Sequence, residues 1–228
     1  MPLLPCIEIE PDTPADAVVI WLHGLGADGN DFVPIVPELR LPDNMAVRFV
    51  FPNAPSIPVS INGGFVMPAW YDILALDVER KVDHSQLLAS AEKIRLLIDR
   101  ETDRGISSRR IVLAGFSQGG AVSYQTALTY MQPLAGLLCL SSYFATADSI
   151  TPNRANKQLP IQICHGSRDP MVPEQLGQAA YRRLSEMGYS VDYKSYPMEH
   201  AVCPEEIADI SQWLQRVLAT APCSGIKP

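Results

Sequence analysis

The stretch RIVLAGFSQGGAVSYQTALTYM, residues 110–131, decides the fold. Residues 110–114 form a short apolar run of the kind a buried strand uses, and from Ser117 onward Ala121, Tyr124, Leu128 and Met131 recur on one side of a helix. Between them stands GFSQG, a GxSxG pentapeptide at residues 115–119. A strand that enters a helix through GxSxG is the setting of a nucleophile elbow, a sharp turn that holds its serine in a strained conformation above the strand ends. Gly115 and Gly119 remove side chains that would clash across such a turn. The Gln118 N–H then lies at the positive end of a helix without an intrahelical partner, where it can stabilise an oxyanion.

Outward from this unit, strand and helix patterns alternate. Apolar runs at residues 17–22, 46–51, 136–140 and 161–164 read as buried strands, and residues 190–196 alternate with period two as a strand nearer a sheet edge does. Residues 4–9 add a weaker strand pattern. Leu87, Leu88, Ala91, Ile94, Leu97 and Ile98 repeat at helical spacing behind Asp83 and Gln86, which stand three apart as in a capping box. Pro173 opens a helix carrying Leu176, Ala180, Leu184 and Met187, closed by Gly188, and Pro204 opens another with Ile207, Ile210, Leu214 and Val217 facing inward. The alternation predicts an α/β fold, a mostly parallel sheet with helices on both faces. Residues 52–68 break it, with prolines at 52, 55, 58 and 68, a Gly63–Gly64 pair and little periodicity, and are expected to be a long functional loop.

At 228 residues, 47% hydrophobic and 19% charged, the chain suits one α/β domain over residues 1–228 with a large core. A formal net charge of −7 argues against nucleic acid and anionic membrane surfaces as partners, since both call for a basic patch. No apolar run approaches the length of a membrane span. The first residues lack the basic start of a signal peptide. The five cysteines, at 6, 139, 164, 203 and 223, are odd in number and show no CxxC, so free buried thiols in a reducing, cytoplasmic setting are expected. No HxxxH, CxxC or acidic cluster suggests a metal, and no cofactor is expected.

A nucleophilic serine needs a base, and the base needs an orienting acid. In α/β-hydrolases the order along the chain is Ser, then Asp or Glu, then His. Of the four histidines, only His200 follows Ser117 with room for an acid between. Asp169 lies just past the 161–164 strand and His200 just past the 190–196 strand, both at the carboxyl ends where open α/β sheets put their sites. Asp192 falls inside a strand and Glu199 beside His200 reads as solvated. His23 and His165 each end a strand beside a glycine and read as packed supports, and His84 as an exposed first-turn residue.

GLGADG at residues 24–29 matches GxGxxG after a strand, so a dinucleotide site is its natural rival reading. Pro34 and Pro37 interrupt the helix that should receive a pyrophosphate, and Asp43 precedes the next strand where the ribose-binding acid should end it. An oxyanion loop suits His23-Gly24-Leu25-Gly26 better, with the Leu25 N–H as the second donor beside that of Gln118.

WLHGLGADGNDF (21–32), FPNAP (51–55), AWYDI (69–73), GFSQGG (115–120), HGSRDPMVP (165–173) and the His200 loop together resemble the family of small bacterial carboxylesterases, acyl-protein thioesterases and lysophospholipases. The resemblance implies the α/β-hydrolase fold without a large cap domain, Ser117, Asp169 and His200 as a triad, and Leu25 and Gln118 as oxyanion donors. The substrate would be a small or lipid-like acyl ester, with thioesters and lysophospholipids as alternatives. The loop at about 52–70 would wall or partly lid an acyl groove, with Trp70, Tyr143 and Val172 as lining residues. An exposed apolar rim around an uncapped groove would favour a homodimer.

Overall fold

The structure is a computed structural model that describes residues 2–75 and 80–219. In chain order its elements are β1 (Cys6–Ile9), β2 (Ala17–Leu22), α1 (Ile35–Glu38), β3 (Val47–Pro52), β4 (Ser56–Val59), β5 (Phe65–Pro68), β6 (Ile73–Ala75), β7 (Lys81–Val82), α2 (His84–Asp103), β8 (Ile111–Phe116), α3 (Gln118–Thr129), β9 (Gly136–Leu140), β10 (Ile161–Gly166), α4 (Glu174–Glu186), β11 (Val191–Tyr196) and α5 (Pro204–Val217). Seven strands form one sheet in the order β1-β3-β2-β8-β9-β10-β11. Only β1 is antiparallel to its neighbour; the remaining pairs are parallel.

The two faces of the sheet bury alternate residues, as the pleat requires. Val18, Ile20 and Leu22 of β2 join Ile111 and Leu113 of β8 in a core shared with α2, α3 and α4. Ala17, Val19 and Trp21 face the other way, with Val112 and Ala114, onto α1 and α5. Both sides of each central strand are buried, which is why these runs are continuously apolar. The outer strand β11 is half-buried and carries Lys194 and Asp192, charges that suit a sheet edge. Chain connectivity leaves β2 in one direction and β8 in the other, so a crevice opens where these two neighbours end side by side.

Three local expectations change. Residues 52–68 are not an irregular loop: β4 and β5 pair as an antiparallel hairpin, with Gly63 and Gly64 at positive φ in its turn. Its tip exposes Phe65 and Val66. The helix begun at Gln118 stops at Thr129, because Pro133 restricts the residues before it, and Met131 lies exposed beyond the end. The capping box is half formed. The Asp83 carboxylate accepts the Gln86 N–H at 3.0 Å, but the Asp83 N–H already donates to Asp72 O, so Gln86 Oε1 accepts the Asp72 N–H at 2.8 Å instead. Among the cysteines, Cys139 and Cys164 are buried and free, Cys6 and Cys203 are free but only half-buried, and Cys223 lies outside the described residues. No helix among the described residues is long and apolar enough to cross a membrane.

Two buried carboxylates contrast. Glu101 of α2 is fully buried yet accepts from Arg48 Nη1 at 2.7 Å, Arg100 Nε at 2.8 Å and Arg104 Nη1 at 3.1 Å. Arg48 and Arg104 continue to Glu10 and Glu8, which ties the antiparallel strand β1 to α2. Glu206 of α5 is equally buried, but neither of its carboxylate oxygens has a hydrogen-bond partner among the described residues, and burial raises its pKa to about 8.

Glu101→Ala removes the buried partner shared by Arg48, Arg100 and Arg104 and should destabilise the fold by about 3 kcal/mol in urea unfolding. Removal of the exposed Glu92 that pairs with Arg95 on the same helix should cost under about 0.5 kcal/mol. For Glu206 the folded pKa of about 8 exceeds the ordinary value of 4.5, so its stabilising share is full below 4.5 and is lost as pH rises through 8. Glu206→Gln should therefore raise the unfolding midpoint at pH 9 and change it little at pH 4. Equal shifts at the two pH values would contradict the assignment.

Candidate active site

Ser117 caps α3 at φ 54°, ψ −118°, a region that L-residues seldom occupy. Two glycines make the turn fit. A Cβ on Gly115 would lie 2.5 Å from the Gly119 carbonyl, and one on Gly119 would lie 2.6 Å from the His23 carbonyl oxygen. The start of α3 therefore presses against the end of β2. The Ser117 N–H donates to Leu140 O at 2.9 Å, and its carbonyl accepts from Ser142 Oγ at 2.6 Å, so the turn is held from β9 as well.

The loop after β2 is aimed by His23. This buried imidazole accepts the Ala54 N–H at Nε2, 3.1 Å away, which leaves Nδ1 as the donor to Gly24 O at 2.7 Å. Burial lowers the His23 pKa, more than its bond to Gly24 raises it, consistent with the neutral ring this pairing needs. The Gly24 carbonyl and the Leu25 N–H share one trans peptide and point in opposite directions. With the carbonyl turned to His23, the Leu25 N–H turns away from it. Among the described residues neither the Leu25 N–H nor the Gln118 N–H donates to a protein acceptor.

The Gln118 side chain performs a task that its motif does not announce. Its Oε1 accepts the Trp70 N–H at 2.8 Å and its Nε2 donates to Tyr71 O at 2.7 Å, clamping the segment after the hairpin. Trp70 itself is not on the cavity wall, contrary to expectation. It is buried, its indole N–H donates to His23 O at 2.9 Å, and its carbonyl accepts from Ser90 Oγ. It supports the β2 loop from beneath. No local pattern could have revealed this, because its partners are 20 to 48 residues away.

Asp169 and His200 meet across two loops. Ser167 and Arg168 N–H groups donate to Tyr196 O and Met198 O at 2.8 and 3.1 Å, which fastens the loop after β10 to the loop after β11. Asp169 Oδ2 then accepts from His200 Nδ1 at 2.6 Å, while Oδ1 accepts the Met171 and Val172 N–H groups, both at 2.8 Å. Burial would raise the Asp169 pKa, but the bonds from His200 and Val172 outweigh it and the net shift is downward. His165 is a buried support whose Nε2 donates to Val172 O at 2.8 Å and lies 3.8 Å from Asp169 Oδ2. Asp192 pairs with Arg216, Glu199 is exposed, and so is His84.

Ser117, Gln118, Leu25 and His200 all line one cavity of about 420 Å³, and Tyr143 and Val172 stand on its wall. No hydrogen bond joins Ser117 Oγ to the His200 ring. Phe116 packs against that ring at 4.6 Å between centroids. Ile61, Met67 and Ile73 add apolar lining from the hairpin arm. Arg80 also lines it, stands 4.9 Å over the Tyr143 ring and donates to Met171 O; no sequence signal marked it. The glycines at 24–29 lead into turns, and the next helix is only Ile35–Glu38, so no helix N-terminus meets them.

Residues 5–218 match the family described as Phospholipase/Carboxylesterase. Acyl-protein thioesterase 1 of Gibberella zeae is 40% identical over 213 residues, covering 89% of this chain and 91% of that protein. Among solved structures, SOBER1 of Arabidopsis thaliana matches with a TM-score of 0.83 at 31% identity, over 89% of this chain and 99% of the other. Acyl-protein thioesterase 2 of Zea mays matches with a TM-score of 0.82 at 28% identity, over 94% and 99%. The chain belongs to the phospholipase/carboxylesterase family of α/β-hydrolases and is an ester or thioester hydrolase.

Proposed function

We propose that Ser117, His200 and Asp169 form a catalytic triad that hydrolyses acyl thioesters, with the Leu25 and Gln118 N–H groups as the oxyanion hole. What carries this is the pairing of His200 with Asp169 at 2.6 Å on the wall of the cavity that also holds Ser117. His200 Nε2 takes the proton from Ser117 Oγ as the oxygen attacks the acyl carbonyl. The Asp169 carboxylate keeps Nδ1 protonated and stabilises the imidazolium that forms. The carbonyl oxygen, now anionic, lies between two amides that have no other acceptor. Collapse expels the thiol with the proton returned by His200, and water then releases the acyl group by the same steps. The serine–histidine bond commonly tightens only in the substrate complex.

Thioesters stand ahead of oxygen esters because the relative at 40% identity bears the name acyl-protein thioesterase. A thiolate also leaves more readily than an alkoxide, so a thioester asks less of His200 as an acid. Oxygen-ester hydrolysis is the second reading and uses the same site. The apolar lining from Ile61, Met67, Ile73 and Val172 suits an alkyl chain.

Ser117→Ala should lower turnover by roughly six orders of magnitude and abolish labelling by a fluorophosphonate. A variant that still takes the label would refute Ser117 as nucleophile. For matched thioesters of graded acyl length, each methylene buried in the cavity contributes about 0.8 kcal/mol. The specificity constant kcat/KM should therefore climb about fourfold per methylene until the cavity is full and then level off. A flat series would remove the acyl chain from this cavity.

A further inference from the structure

A second cavity, of about 430 Å³, lies beside the first. The two share His200, Phe116 and Asp31, but the second is lined by none of Ser117, Gln118 or Leu25. The His200 and Phe116 rings, in tilted contact at 4.6 Å between centroids, therefore stand as a partition between them. Beyond the partition the walls are Phe32, Pro34, Ile35, Val202 and Ile207, with Asp31 and Glu38 as the charged members and no Lys or Arg.

The chemistry assigns a direction to each cavity, granted the reading of Ser117 and His200 given above. The acyl carbon must sit at Ser117 with its oxygen at the Leu25 and Gln118 amides, all in the first cavity. The leaving atom must come within reach of His200 to receive its proton. Whatever that atom carries departs across the imidazole. The charges differ as well. The charged lining of the first cavity is Arg80 and Asp31, whereas that of the second is Asp31 and Glu38, two carboxylates that join no ion pair among the described residues. Asp31 is partly desolvated: burial raises its pKa, His23 opposes the rise and neighbouring Asp28 adds to it.

We propose that the second cavity receives the leaving group and that Asp31 and Glu38 select leaving groups bearing a positive charge, an ammonium or a guanidinium. The apolar walls would hold the carbon skeleton, and the two carboxylates would meet the cation.

The test uses thioesters that share one acyl group and differ in the thiol. One arm pairs thiocholine with its neutral isostere, 3,3-dimethylbutanethiol; the other pairs a cysteine peptide flanked by lysines with its norleucine counterpart. The wild-type enzyme should favour the cation by about tenfold in kcat/KM at low ionic strength. Salt should erode that ratio. Glu38→Gln and Asp31→Asn should each lower the ratio several-fold. Single-turnover deacylation should be the same for both members of a pair, because the leaving group has gone by then. Ile207→Trp, which narrows the second cavity, should slow acylation from bulky thiols more than from methanethiol. A charge preference confined to one arm identifies a head group or a peptide and sustains the proposal. A ratio near one in both arms, or a ratio unmoved by Glu38→Gln, overturns it. Absence of fluorophosphonate labelling and of all hydrolysis would instead overturn the triad, which keeps the two failures apart.

Discussion

At Ser117 the backbone is held at φ 54°, a conformation that costs about 1–3 kcal/mol and persists only where the surroundings over-determine it. Here the surroundings are specific. Gly115 and Gly119 let the ends of β8 and α3 close to distances that no Cβ could share, and Gly119 packs directly on the His23 carbonyl at the end of β2. Leu140 and Ser142 hold the peptide from the opposite side. The strain thus depends on β2, β8 and β9 lying side by side and parallel, which the two apolar cores on either face of the sheet enforce.

The same adjacency sorts the four histidines by exposure. His23 and His165 are buried, and burial lowers the pKa of both, so they serve as neutral hydrogen-bonding supports. His84 is exposed at the start of α2 and touches nothing in the site. Only His200 is half-buried with a carboxylate behind one ring nitrogen and a cavity before it. Accessibility and orientation are the two conditions that the general base proposed above requires.

Buried carboxylates show the same sorting by environment. Glu101 is charge-paired by arginines and works as a fastener for β1. Asp169 is held by two amides and His200, and against the effect of burial these bonds lower its pKa and favour the ionised form. Glu206 has no hydrogen-bond partner among the described residues, and burial pushes its pKa to about 8. One chemical group takes three roles because the free energy of a buried charge is set almost wholly by what surrounds it.

The sequence by itself determined the succession of the seven main-sheet strands and the four long helices, the elbow at Ser117 and the chain order of Ser117, Asp169 and His200. These are legible because periodicity, capping and turn chemistry act within a few residues. The hairpin at Ser56–Val59 and Phe65–Pro68 was hidden by its prolines, which mask a short pattern of alternation. Tertiary structure alone decided that Trp70 sits beneath the loop after β2 and not on the cavity wall, that the Gln118 side chain clamps residues 70 and 71, and that a second cavity backs onto His200. Each of these depends on contacts between segments far apart in the chain, brought together by the order in which strands pair. No local pattern encodes that order; it emerges only when both faces of the sheet are buried at once.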